Sequence, residues 1–149
     1  MTVDRMRIKQ LAIAGAMIAV VLGSIAGIPQ AAADESVCTT AGQYCGFYSP
    51  SRNISCEINV GRGTGLPDDA YCQTIDPPQS AQMDTTGAFR PCTGQSCLGN
   101  PPPGIPTLGY GQMMPWGPFK CLSEEDGVTC TVAGGRGFMI SRSGITPIG

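Results

Sequence analysis

Apolar and polar residues alternate with a period of two near the end of the chain. Phe119, Cys121 and Ser123 alternate with Lys120 and Leu122, and Val128, Cys130 and Val132 alternate with Thr129 and Thr131. Short alternating runs rich in β-branched residues mark half-buried strands. Glu124-Glu125-Asp126-Gly127 between them predicts a four-residue hairpin loop. Folding about that loop sets Cys121 against Cys130, Phe119 against Val132 and Ser123 against Val128. Facing residues at a non-hydrogen-bonded position have Cα atoms about 4.5 Å apart, within disulfide range. One register therefore buries Phe119, Val128 and Val132 and also joins two thiols. Ala133-Gly134-Gly135 predicts a second turn, and Phe138-Met139-Ile140-Ser141 a third strand, giving a meander.

The same period recurs from Ile54. Ile54, Cys56, Ile58 and Val60 point inward in this reading, with Ser55, Glu57 and Asn59 outward to solvent. Gly61-Arg62-Gly63-Thr64-Gly65 reads as a flexible hairpin loop and not as a phosphate loop, since it lacks the Lys-Ser/Thr pair and no helix can follow it past Pro67. Ala70-Tyr71-Cys72-Gln73-Thr74-Ile75 then pairs back, tied by Cys56–Cys72.

Elsewhere the pattern fades. Residues 34–46, small and polar, are expected to be a surface leader closed by Cys38 and Cys45. Residues 76–106, with Pro77-Pro78 and Pro101-Pro102-Pro103-Gly104, are expected to be an irregular extended loop holding a Cys92–Cys97 bridge. Leu108 and Tyr110 suggest a short strand, and residues 113–118 a loop leading into the hairpin. No internal repeat, heptad or amphipathic helix is apparent in residues 34–149. The expected fold is all-β: one small, disulfide-stapled antiparallel domain, a meander or a small sandwich or barrel, after an N-terminal signal helix.

Residues 1–33 have the organisation of a signal peptide: Arg5, Arg7 and Lys9, an uncharged stretch over residues 11–28, then Ala31-Ala32-Ala33. Cleavage after Ala33 would leave a single domain, 34–149, secreted and without stable membrane association. Retention of residues 11–28 as a membrane anchor is the alternative, since that length nears a membrane span. The leader takes several of the basic residues with it, and the acidic balance that remains argues against nucleic acid and anionic lipid as partners.

All eight cysteines lie beyond residue 33. An even number in an exported chain means a disulfide framework. Sequential pairing is expected: Cys38–Cys45, Cys56–Cys72, Cys92–Cys97 and Cys121–Cys130. No C-x-x-C and no His occur, so no metal site or cofactor is expected.

The absence of His removes Ser-His-Asp and Cys-His catalysis. Paired cysteines leave no thiolate nucleophile. Glu124, Glu125 and Asp126 lack calcium-loop spacing and read as a solvated loop tip. The expectation is a non-catalytic binding or interaction module of the cell envelope or extracellular space, its partner a protein or cell-wall ligand. Its candidate surface is Tyr110, Met113, Met114 and Trp116, the only Trp, with packing against the sheet as the alternative for all four. A hydrolase whose carboxylates meet only in the fold is the alternative function.

Two groups of motifs carry a resemblance. Near the start stands Phe47-x-Ser49-Pro50-Ser51-x-Asn53-Ile54-x-Cys56. Later come Phe119-x-Cys121, Gly127-Val128-Thr129-Cys130 and Gly135-x-Gly137-Phe138-x-Ile140-Ser141-Arg142. Together they resemble a family of small exported cysteine-rich actinobacterial proteins, mycobacterial secreted proteins among them, which has no assigned activity. The resemblance implies secretion and a compact β domain. Arg52 stands where the family pattern has Gly, and Cys38 and Cys45 are additions to it.

Overall fold

The computed structural model describes residues 44–149, and ten strands run through them in two five-stranded antiparallel sheets. The first sheet has the order β1 (Tyr44–Tyr48), β2 (Ile54–Asn59), β3 (Asp69–Thr74), β4 (Gln79–Met83) and β5 (Phe89–Thr93). The second runs β6 (Met113–Trp116), β7 (Phe119–Glu124), β8 (Gly127–Val132), β9 (Gly137–Ser141) and β10 (Gly144–Ile148). The fold is all-β, as the alternation predicts, and each sheet is a meander in which every strand pairs with its neighbour in sequence.

The hairpin register is the expected one: Phe119 faces Val132, Cys121 faces Cys130 and Ser123 faces Val128. Its loop is shorter than expected. Glu124 pairs with Gly127, so only Glu125 and Asp126 make the turn. Cys56 faces Cys72 across β2 and β3 in the same way. Both bridges form, each with a Cα separation of 4.1 Å, as does Cys92–Cys97. Cys45 is also disulfide-bonded, and Cys38, its expected partner, lies outside the described residues. So do the expected signal segment over residues 1–33 and the alternative anchor over residues 11–28. No helix among the described residues is long and apolar enough to cross a membrane. Such a density of disulfides points to an oxidising environment.

The two meanders repeat one plan, although no repeat shows in the sequence. In the first sheet one rung crosses Phe47, Cys56, Cys72, Ala81 and Pro91. In the second, the corresponding rung crosses Met114, Cys121, Cys130, Phe138 and Pro147. Each meander thus bridges its second and third strands and sets a proline on its last, where an edge strand needs no donor and proline discourages further pairing. The sheets stack face to face around one cluster drawn from both, including Phe47, Ile58, Met83, Phe119, Phe138 and Ile140. Cys45 on β1 meets Met114 on β6, Cys72 on β3 meets Cys130 on β8, and Gln79 on β4 donates to the Ser141 carbonyl on β9. Corresponding strands therefore lie opposite one another.

Several expectations are corrected. Residues 44–46 are part of edge strand β1, and Cys45 is fully buried, where a surface leader was expected. Residues 76–106 are not one irregular loop: β4 and β5 extend the first sheet, and a 3-10 turn follows at Gln95–Cys97. Residues 113–116 are a strand, because Met114 and Trp116 alternate inward against Cys121 and Phe119. Leu108 is buried without lying in a strand: its N–H donates to Tyr48 O at 2.9 Å beside a single Tyr48–Thr107 bridge. Ser55 and Asn59, expected in solvent, are buried on the outer face of the first sheet, because the chain itself covers that face.

Two glycines of the second sheet are required by close approach. A Cβ at Gly137 would overlap the Cys130 carbonyl, and one at Gly127 the Ile140 carbonyl. Arg52, in the β1–β2 turn, has φ 57°, the left-handed region that favours glycine, and its guanidinium lies 4.1 Å from the Tyr48 ring centroid.

Candidate functional site

The cover on the first sheet is a strap, residues 94–108, that leaves β5 and crosses the outer face to the edge of β1. Cys92–Cys97 ties its start to β5. Side chains of the sheet hold its middle. Tyr71 donates its hydroxyl to the Cys97 carbonyl at 2.8 Å, and Ser80 donates to the same oxygen at 3.0 Å. Gln73 makes a reciprocal pair with Gly99: its Nε2 donates to Gly99 O at 3.0 Å, and its Oε1 accepts from Gly99 N at 2.7 Å. At the far edge Ile105 lies over Gly46, where a Cβ would meet its Cγ2 at 2.9 Å. Tyr48 N donates to Pro106 O at 2.8 Å. Proline-rich backbone suits this role, since it is extended and has few N–H groups to satisfy.

Strap and sheet enclose an open cleft of about 280 Å³. Its floor is Ser55, Glu57, Asn59, Asp69, Tyr71, Gln73 and Gln82, and its wall Gly99, Asn100, Pro101 and Pro102. Asp69 is the most constrained group there, its side chain 8% exposed. Arg62, from the glycine-rich loop, reaches Asp69 Oδ1 at 2.9 Å, and Asn59 Nδ2 donates to the same oxygen at 2.9 Å. Gln82 Nε2 donates to Oδ2. A buried carboxylate is tolerated when paired and hydrogen-bonded in this way. Glu57 is half-buried, and its carboxylate makes no hydrogen bond or ion pair among the described residues.

The four residues singled out in the sequence do not form one surface. Met114 is 2% exposed and belongs to the core, which removes it as a contact residue. Trp116 shares its inward face, half-buried against the core, with its indole N–H unpartnered among the described residues. Met113 and Tyr110 are exposed, at 41% and 44%. Met113 lies on the outer face of the second sheet, on one rung with Leu122, Thr129, Met139 and Thr146.

Glu124, Glu125 and Asp126 sit at the β7–β8 turn beside Ser49, Ser51 and Arg142. Asn53-Ile54-Ser55 has the form of a glycosylation sequon, but the Asn53 amide is engaged: its Nδ2 donates to Asp76 O and its Oδ1 accepts from Asp76 N, both at 2.9 Å. The sulfurs of Cys56, Cys72 and Cys130 lie within 4.8 Å of one another. All three belong to disulfides and offer no thiolate.

The strapped cleft escapes a reading by alternation because its floor consists of positions that look solvent-exposed. One signal was available: Asn59, Gln73 and Gln82, all outward, are amides, where a solvated face usually carries charge.

No family model, curated protein or solved structure matches this chain.

Proposed function

We propose that the protein is a non-catalytic binding module working outside the cytoplasm, and that the strapped cleft is its ligand site. The observation that carries this reading is the docking of the strap by Tyr71, Gln73 and Ser80, which forms a polar cleft before any ligand arrives. A preformed site avoids the ordering cost of binding. Secretion, with residues 1–33 removed, belongs to the same reading. The disulfides and the resemblance to small exported actinobacterial proteins both support it. The partner is then a cell-wall component or an extracellular protein.

A hydrolase reading has one observation in its favour. Glu57 and Asp69 line one cleft at diagonal positions of neighbouring strands, a placement that sets the two residues about 7–8 Å apart. Against it, Asp69 is nearly inaccessible and accepts from three side chains. Neither a nucleophile nor a general base works well with its lone pairs engaged.

The test is retention on cell-wall material and on glycan and peptide arrays. Asn100→Trp puts an indole at the mouth of the cleft, and Lys120→Trp puts one on the outer face of the second sheet. The wild type and Lys120→Trp should be retained and Asn100→Trp lost. Equal retention of Asn100→Trp, or no retention of the wild type, would contradict the cleft as the site. Release of sugar or peptide fragments that stops in Glu57→Gln would favour the hydrolase.

A further inference from the structure

We infer that the ligand of this cleft presents a protonated amine, with Glu57 as its anchor; this rests on the cleft being the binding site. The charges of the cleft do not balance internally. Arg62 and Asp69 neutralise one another at 2.9 Å, which leaves Glu57. The rung through Glu57 runs Gly46, Glu57, Tyr71, Gln82, Arg90. Gly46 offers no side chain. Tyr71 already spends its hydroxyl proton on the strap. Arg90 is three strands away, roughly 14 Å at the usual strand spacing. A half-buried carboxylate with no partner among the described residues gains when a cation arrives, because part of its desolvation is already spent.

The hydrogen-bonding polarity of the cleft points the same way. Asn59 and Gln82 both turn their NH₂ groups to Asp69. Their carbonyl oxygens are the ends left for a ligand. Pro101 and Pro102 in the wall have carbonyls and no N–H. The cleft is therefore rich in acceptors as well as negative. An ammonium group, with three donors and no acceptor, is the complement of such a set. Asp69 acts here as a positioning residue: by holding two amides it fixes which of their ends faces outward.

An amine of this kind comes either from an amino sugar or from a lysine side chain, and the test separates them. Glucosamine and Nα-acetyl-lysine amide are titrated into the isotope-labelled protein, beside N-acetylglucosamine and Nα,Nε-diacetyl-lysine amide. The inference expects at least one amine to shift the backbone signals of Glu57, Asn59, Tyr71 and Gln82. Acetylation of that amine should weaken binding about tenfold or more, as should Glu57→Gln. Asp126→Asn, which removes the same charge at a distant turn, should leave affinity unchanged. Equal affinity for an amine and its acetylated form, or an unchanged Glu57→Gln, would overturn the inference while the cleft stands. So would equal weakening by Asp126→Asn and Glu57→Gln, since only net charge would then matter. If none of the four probes shifts the cleft signals, both the inference and the cleft reading fall.

Discussion

Cys72 Sγ lies 3.5 Å from Cys130 Sγ, so the central disulfides of the two sheets touch across the core. The two residues occupy the same place in the two meanders, each on the third strand and each bridged to the second. The repeated plan thus meets itself at this contact. Each bridge restricts the unfolded chain by about 3 kcal/mol, given the separations of 16 and 9 residues. Groups in direct contact do not act independently. Replacing Cys121 and Cys130 together by Ala should cost about 3 kcal/mol or more in denaturant unfolding, and so should Cys56 with Cys72. The fourfold variant should depart from the sum by at least about 0.5 kcal/mol. Additivity within about 0.3 kcal/mol would mean that the contact is incidental.

Gly127→Ala and Gly137→Ala should each destabilise the protein by about 1–3 kcal/mol, because the obstructing atom is a neighbouring strand's carbonyl and cannot turn aside. Gly46→Ala should cost less, since there the neighbour is the Ile105 side chain. Urea midpoints of the three variants check the order. A harmless Gly137→Ala would contradict the close approach of β8 and β9.

The alternation of apolar residues was enough to place β2, β3, β7, β8 and β9 and the Cys121–Cys130 register. It missed β1, β4, β5, β6 and β10, and for three of these the reason is physical. β5 and β10 are edge strands carrying Pro91 and Pro147, and proline reads as a break. β6 is short, and Pro115 sits inside it. The site was less legible than the fold. Glu57 and Asn59 were placed on the right face, but no local pattern reports that residues 94–108 return to cover it. Met114 and Trp116 drew attention as a hydrophobic loop, and their inward alternation on β6 accounts for them as packing.

Arg52→Gly should change stability by less than about 0.5 kcal/mol. Relief of a left-handed residue, about 1–2 kcal/mol, is offset by greater freedom in the unfolded chain and by loss of the contact with Tyr48. Arg52→Val keeps the strain and loses the contact, and should cost about 1–2 kcal/mol. Thermal unfolding of both variants is the check; a Val variant as stable as the wild type would contradict the conformation of this turn.

Asp84 caps the β4–β5 turn. The hydroxyl of Thr86 donates to its Oδ1 at 2.6 Å and the Thr86 N–H at 2.8 Å. The hydroxyl first, and the backbone N–H after it, hold the carboxyl below its ordinary value of 3.8. A depressed folded pKa favours the folded state above the unfolded value. That contribution is lost as pH falls through the folded value. Carboxyl titration by NMR should find Asp84 below 3.8 and should find it moved up in Thr86→Ala. No movement in the variant would contradict the assigned cause.

The cleft exists only if the strap is docked in the free protein. Hydrogen exchange at the Gly99 amide measures this most directly, because Gly99 and the next residue, Asn100, are exposed and the N–H is held, among the described residues, only by Gln73 Oε1 at 2.7 Å. The Gly99 amide should exchange slowly, as strand amides do, and Gln73→Ala should release it while the amides of β7 and β8 stay protected. A Gly99 amide that exchanges at the rate of an unstructured peptide would mean that the strap is not held, and the preformed cleft would fall with it.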